Sequence, residues 1–214
     1  MKYIQRFVSA HALIAAIFAL VLAAGGPVWA QDGKPGADPR LQDMVLGKAD
    51  APVTIIEYAS MTCPHCAHFD QEVLPAIKTE FIDTGKVKLI FRDFPLDQLA
   101  FVGSIMARCA GPEKYFTYVD VLFAQQVEWA TAKDPVAALK QIGRLGGMTS
   151  EQFDACLKDK ALGDYILQSR LDANQKLGVN STPTLIIDGK AEPGVPSLDD
   201  LRTKLNALVK AKSK

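Results

Sequence analysis

The sequence predicts an α/β fold in which a βαβ unit and a closing ββα unit are separated by an inserted helical subdomain. Three observations carry this. An apolar, β-branched run from Val53 to Tyr58 is followed by a helical segment, Ala67 to Thr84, and a second β-type run, Val87 to Phe91. The stretch from Asp97 to Val179 holds helical patterns and no convincing strand. β character then returns at Thr184 to Ile187, ahead of an Asp188-Gly189 turn signal and a final amphipathic helix. With 214 residues, 49% of them hydrophobic, the chain suits one domain carrying an insertion.

Taken in order, residues 1–30 read as an export signal. Lys2 and Arg6 form a positive n-region, Ala12 to Ala24 is uncharged and apolar, and Val28-Trp29-Ala30 offers a small-residue cleavage site before Gln31. The alternative is an uncleaved membrane anchor, for which the apolar run is short. Either way the remainder is expected to face an oxidising compartment, the periplasm. Residues 31–40 read as a flexible lead-in. Leu41 to Leu46 is an edge strand or a helical turn.

Val53 to Tyr58 suits a strand buried on both faces, and Glu57 is the exception within it. A carboxyl there has to be paired, protonated or functional, because a lone buried charge is costly. Phe69, Val73, Ile77 and Phe81 form a core stripe on the following helix, which Pro75 is expected to kink and Gly85 to end. Two parallel strands joined by that helix imply a right-handed crossover. The core domain therefore comprises 41–96 and 178–214, with the helical subdomain inserted at 97–177. Helices are expected at Leu99–Cys109, Tyr115–Gln126, Asp134–Ile142, Thr149–Leu157 and Lys160–Leu177; Thr149 to Gln152 has capping-box spacing. Lys190 to Glu192 pairs back across the hairpin. Leu198, Leu201, Leu205 and Leu208 line the last helix.

Charge narrows the partners. Lys and Arg total 24 and Asp and Glu total 24, and the residues after 30 carry 22 basic and 24 acidic groups. Neither a nucleic-acid partner nor a polybasic membrane contact is indicated. Beyond residue 30 the only histidines are His65 and His68, so a Ser/His/Asp or Cys/His triad has no distant histidine to draw on.

The chemistry concentrates at Cys63-Pro64-His65-Cys66. This tetrad falls at a strand-to-helix junction, where the free N–H groups of a first helical turn stabilise a sulfur anion. Pro64 suits the first helical position. The thiolate is the nucleophile, and a second thiol one turn on can close a small-ring disulfide. A zinc site would need two further ligands at ligand spacing. Cys109 and Cys156 are far away in sequence, and no metal or other cofactor is expected. Cys109 lies four residues after Ile105, and Cys156 three after Phe153, so both are expected to face the interior of the insert. In an oxidising compartment they are expected to pair; the alternative is two separate buried thiols acting as small hydrophobes. Arg92-Asp93 reads as a structural ion pair without a functional role.

The order of elements with a Cys-x-x-Cys at the first helix resembles a thioredoxin fold, and Cys-Pro-His-Cys plus a helical insert resembles the DsbA-type thiol:disulfide oxidoreductases of bacterial envelopes. The resemblance runs from about Leu41 to Leu208. It rests on the tetrad, Glu57 six residues before Cys63, Ser181-Thr182-Pro183-Thr184 opening the returning strand, and the position of the insert. It implies Cys63 as exposed nucleophile and Cys66 as buried resolving thiol. Pro64 and His65 become the dipeptide that sets redox strength, and Glu57 the buried acid exchanging protons with Cys66. Thr182-Pro183 becomes the cis-proline loop that binds an extended client. It further implies an oxidase acting on unfolded or reduced exported proteins as a monomer, and reoxidised by a quinone-linked membrane partner of DsbB type. The rival readings are a disulfide isomerase or reductase, and a peptide-holding chaperone without redox turnover.

Overall fold

The computed structural model describes residues 38–213; the expected export signal and residues 31–37 of the expected lead-in lie outside them. Residues 38–40 are not a loose tether. Pro39–Leu41 form a 3₁₀ turn, and Arg40 is paired with Asp38 and Asp159. Among the described residues no helix is long and apolar enough to cross a membrane.

Five strands make one mixed sheet: β1 (Met44–Leu46), β2 (Val53–Ala59), β3 (Val87–Asp93), β4 (Thr184–Ile187) and β5 (Lys190–Pro193), in the order β1-β3-β2-β4-β5. Strands β2 and β3 run parallel with Val53 opposite Val87 and Glu57 opposite Phe91. Strand β4 is antiparallel to β2, placing Leu185 on the other side of Glu57. Asp188 and Gly189 both have positive φ, 49° and 84°. This is the I′ geometry that matches the twist of a two-residue hairpin.

The helix between β2 and β3, α1 (residues 64–82), is not a uniform α-helix. α-Turns at Pro64–His68 and Leu74–Ile77 alternate with π-turns at Phe69–Val73 and Lys78–Ile82. The stripe Phe69, Val73, Ile77, Phe81 has a spacing of four, which would drift around a helix of 3.6 residues per turn. Interleaved i→i+5 turns lengthen the mean repeat to about four and keep all four side chains buried. The π-turn before Pro75 also relieves the clash with the carbonyl four residues back.

The insert consists of α2 (Gln98–Cys109), α3 (Pro112–Ala124), α4 (Gln126–Ala130), α5 (Pro135–Leu145), α6 (Ser150–Leu157) and α7 (Lys160–Leu177); α8 (Leu198–Lys212) closes the chain. Both halves of the capping box at Thr149 are present. The separate five-residue α4 was not expected. It is too short for a periodic pattern, and it is held by Trp129, which is fully buried and donates to Leu122 O at 2.7 Å.

The two sheet faces divide by the two-residue period of a strand. Val53 and Ile55 face α1 and α8, packing with Phe69, Ile77, Leu201 and Leu205. Ile56 and Tyr58 face α7 through Ala173. The insert has its own core around Tyr115, Leu122, Trp129 and Phe153, which reaches to Cys63 and Cys66. Gly103 lets α2 approach the active-site turn, because a Cβ there would lie 3.1 Å from Met61 Cβ.

The expected Arg92–Asp93 ion pair is not formed. Adjacent residues on a strand point to opposite faces. Arg92 binds Asp43 and the Tyr58 hydroxyl, while Asp93 is fully buried against Arg108.

Candidate active site

Strand β2 ends in a tight turn that delivers Cys63 to the N-cap of α1. The Cys63 N–H donates to Ser60 O at 3.0 Å, and Cys63 O accepts from Cys66 N–H at 3.1 Å and Ala67 N–H at 3.2 Å. Pro64 occupies the first helical position. Both cysteines are free thiols here. The Thr182–Pro183 bond is cis. Thr182 O lies within 3.3 Å of Cys63 Sγ, which donates to it.

The two sulfurs have opposite environments. The Cys63 thiol is held down at about 5, first by the hydrogen bond from Cys66, then by the Thr182 side chain and the N–H groups of Cys66 and His65. Burial works against these and is outweighed. Cys66 is pushed strongly up, by burial first, then by the proton it donates to Cys63 and by the Glu57 charge. Glu57 is also pushed well up, by burial, Asp70 and Cys63 in that order. At neutral pH the reduced site is therefore a Cys63 thiolate beside a Cys66 thiol.

Cys63, Pro64, His65, Cys66, Glu57, Thr182 and Pro183 are brought together, with one difference from expectation. Cys63 is only 5% exposed; Thr182 and Cys66 close over it, and His65 rather than the sulfur is open to water. Beside it lies an open cleft of about 610 Å³ lined by His65, His68, Thr182, Pro183, Val195 and Leu198 among others. Cys109 and Cys156 lie elsewhere. They are joined as a disulfide between α2 and α6, with Cα atoms 6.2 Å apart. The pair borders a surface cleft with Lys114 and Gly147; as expected both face inward, Cys156 buried and Cys109, at the end of α2, partly buried against the insert's core.

A family model described as Thioredoxin matches residues 40–207. The chain belongs to the thioredoxin family. Within that family it is DsbA-like. The crystal structure of Wolbachia pipientis alpha-DsbA1 superposes with a TM-score of 0.75 at 32% identity, covering 80% of this chain and 92% of that one. Disulfide bond formation protein D of Bacillus subtilis is 28% identical over 179 residues, with 78% of each chain covered. The protein of Rickettsia conorii named "Putative protein-disulfide oxidoreductase" is 34% identical over 175 residues, which make up 80% of this chain and 62% of that protein. This thioredoxin-family chain thus spans less than two thirds of the Rickettsia relatives it matches.

One site residue escaped the sequence reading. Gln126 Nε2 donates to Met61 O at 2.8 Å and to Cys63 O at 3.0 Å, clamping the active-site turn from the insert. A glutamine opening a five-residue helix gives no local signal of this. Gln126→Ala removes the side-chain donor to Met61 O and one of three donors to Cys63 O, and is expected to cost about 1–3 kcal/mol. Chemical denaturation of the reduced protein checks it, and an unchanged midpoint would remove the clamp.

Thr182 provides a second test. Its Oγ1 is buried without a partner while Cys63 is a thiol, leaving a hydroxyl available to the thiolate. Thr182→Val keeps the shape and removes that donor. A hydrogen bond to a charged group contributes about 1.5–3 kcal/mol, so the Cys63 pKa is expected to rise by about 1–2 units. Thiolate absorbance against pH measures this; a midpoint still near 5 would mean that the hydroxyl is idle.

Proposed function

We propose that this chain is an exported dithiol oxidase that donates a Cys63–Cys66 disulfide to folding client proteins. The observation that carries it is the asymmetry of the two thiols, Cys63 held down to about 5 and Cys66 pushed up. A client thiolate attacks Cys63 Sγ, a mixed disulfide forms, and a second client thiol resolves it. Cys63 leaves easily because a low-pKa thiol is a good leaving group. In this reading Glu57 exchanges protons with Cys66, Pro64 and His65 set the redox strength, and Thr182-Pro183 aligns an extended client by main-chain pairing.

The export signal at residues 1–30, a periplasmic location and a quinone-linked DsbB-type reoxidant belong to the same proposal. So does a structural role for Cys109–Cys156, supported by its position tying α2 to α6.

Oxidase and isomerase readings separate on client choice. The oxidised protein is mixed with a fully reduced client and, separately, the reduced protein, whose Cys63 is a free nucleophile, with a scrambled one. The oxidase reading expects stoichiometric disulfide formation in the reduced client and little rearrangement of the scrambled one. The opposite pattern would replace it with an isomerase.

A further inference from the structure

The cleft beside the tetrad lies on the α1 and α8 face of the sheet, since its lining residues Val195 and Leu198 pack against that face's core. A second groove, of about 530 Å³, opens on the opposite face. Its lining includes Phe94, Leu96, Leu167, Arg170, Leu171 and Asn180. Phe94 is buried with Tyr58, Ala173 and Val179 in the cluster that faces α7.

The walls are apolar and open to water. Leu96, Leu167 and Leu171 are 46%, 49% and 45% exposed. Leu167 and Leu171 are four apart on α7 and share a face with Arg170. Single exposed leucines are ordinary; three around one groove make a patch of the kind that binds something. Arg170 is the one charged residue in the lining, and its guanidinium lies 5.5 Å from the Phe94 ring centroid. Among the described residues no carboxylate pairs with it. Apolar walls with one unanswered positive charge suit aliphatic side chains next to a carboxylate.

The groove is continuous with the active site at two points. The Leu96 N–H donates to Ser60 Oγ at 3.3 Å, and the next residue, Asp97, accepts from Thr62 Oγ1 at 2.6 Å. That wall is thus fastened to the turn that carries Cys63. Asn180 stands two residues before Thr182, which lines the first cleft; at most about 7 Å of chain separates them. A client cysteine bonded to Cys63 carries chain on both sides of itself. Two clefts on opposite faces of the sheet, joined by one loop, match two arms.

We propose that this second groove holds one arm of the reduced client chain, a segment of aliphatic residues followed by a carboxylate, while the first cleft holds the other arm. The proposal rests on the thiol–disulfide exchange reading and adds a sequence preference to it. The arm is gripped equally before and during the exchange, so the groove acts through KM and leaves kcat alone.

The test uses dithiol peptides whose two cysteines are joined by a Gly-Ser linker. One is bare. The others carry Leu-Leu-Asp beyond a two-residue spacer, on the N-terminal or the C-terminal side. Each is mixed with the oxidised protein and followed by stopped-flow fluorescence. The peptide loses two electrons and two protons and becomes a disulfide; the Cys63–Cys66 pair gains the electrons, Cys66 keeps one proton, and water takes the other. At least one armed peptide is expected to react about ten- to a hundredfold faster than the bare one, through a lower KM, as burial of two half-exposed leucines provides. Leu96→Ser and Leu171→Ser, both exposed changes, are each expected to lower the ratio of armed to bare rates by about three- to tenfold. Arg170→Glu reverses the charge preference, so a peptide with Lys in place of Asp becomes the faster one. The proposal is overturned if neither arm raises the rate, or if the gain survives Leu171→Ser and Arg170→Glu alike. It is also overturned if the wild-type protein sediments as a dimer that Leu171→Ser dissociates, which would give the groove to a second copy of the chain. A wild-type protein that leaves the bare peptide reduced overturns the exchange reading and this proposal with it.

Discussion

Arg108→Ala is expected to destabilise the protein by about 3–5 kcal/mol, the cost of stranding a buried charge by removing its partner. Arg108 and Asp93 are fully buried and paired. The same guanidinium donates to Arg40 O at 2.8 Å and Gln42 O at 2.9 Å. It lies 4.6 Å from the Tyr165 ring centroid and 5.5 Å from that of Tyr115. One side chain of α2 thus gathers the end of β3, the N-terminal segment, α3 and α7. The truncation leaves the buried Asp93 carboxylate with only the Tyr115 hydroxyl, at 3.4 Å, and takes this donor from two carbonyls. At roughly 2–4 °C per kcal/mol for a chain of this size, the melting temperature falls by about 6–20 °C. Calorimetry measures it. A fall under about 2 °C would mean that water replaces the guanidinium and that the network is dispensable. The site itself is expected to survive wherever the variant folds, since the network does not include the tetrad.

Replacing both Cys109 and Cys156 by Ala is expected to cost about 4 kcal/mol in the chain-entropy model, given their sequence separation of 47. The cross-link restricts the unfolded chain and ties α2 to α6 across the insert. Denaturant unfolding of the double variant against the oxidised parent provides the number. A loss below about 1 kcal/mol would leave the pair only a packing role, as two small hydrophobes. Glutathione reactivity at Cys63 is expected to stay the same, because the pair lies outside the group of residues that sets the thiolate.

The strand–helix–strand unit, the helical stretch and the closing hairpin were legible in the sequence because each has a burial pattern with its own period. Lys160–Leu177 is bounded in the structure as its pattern indicates. The tetrad, Glu57 and Thr182-Pro183 stood out for local reasons: paired thiols, a carboxyl in an apolar strand, a proline ahead of one. Arg108 and Gln126 did not stand out, because an arginine or glutamine on a helix is ordinary until tertiary structure buries it. The four-residue stripe on α1 was visible, yet its conflict with the 3.6 period showed only when the π-turns appeared. Arg92 and Asp93 misled because sequence neighbours on a strand do not share a face.

The reduction potential of the Cys63–Cys66 pair as a function of pH tests the central claim most directly. Reduction adds two electrons, with two protons when Cys63 is a thiol and one when it is a thiolate. Measured through a glutathione equilibrium and corrected for glutathione's own pH dependence, the potential is expected to change by about 59 mV per pH unit below the Cys63 pKa and about 30 mV above it. The break is expected near pH 5. Cys63 has a depressed pKa, so its stabilisation of the reduced protein is complete above the unfolded value of about 8.5 and is lost as pH falls through 5. At pH 7 about two units remain, or about 2.7 kcal/mol, which makes the disulfide more oxidising by about 60 mV than the same site without the thiolate. A break near pH 5 with a potential at least about 50 mV above the thioredoxin value of about −270 mV is the expected result. A break at about pH 7 or higher, with a potential at or below about −270 mV, would contradict the account and make this site a reductant.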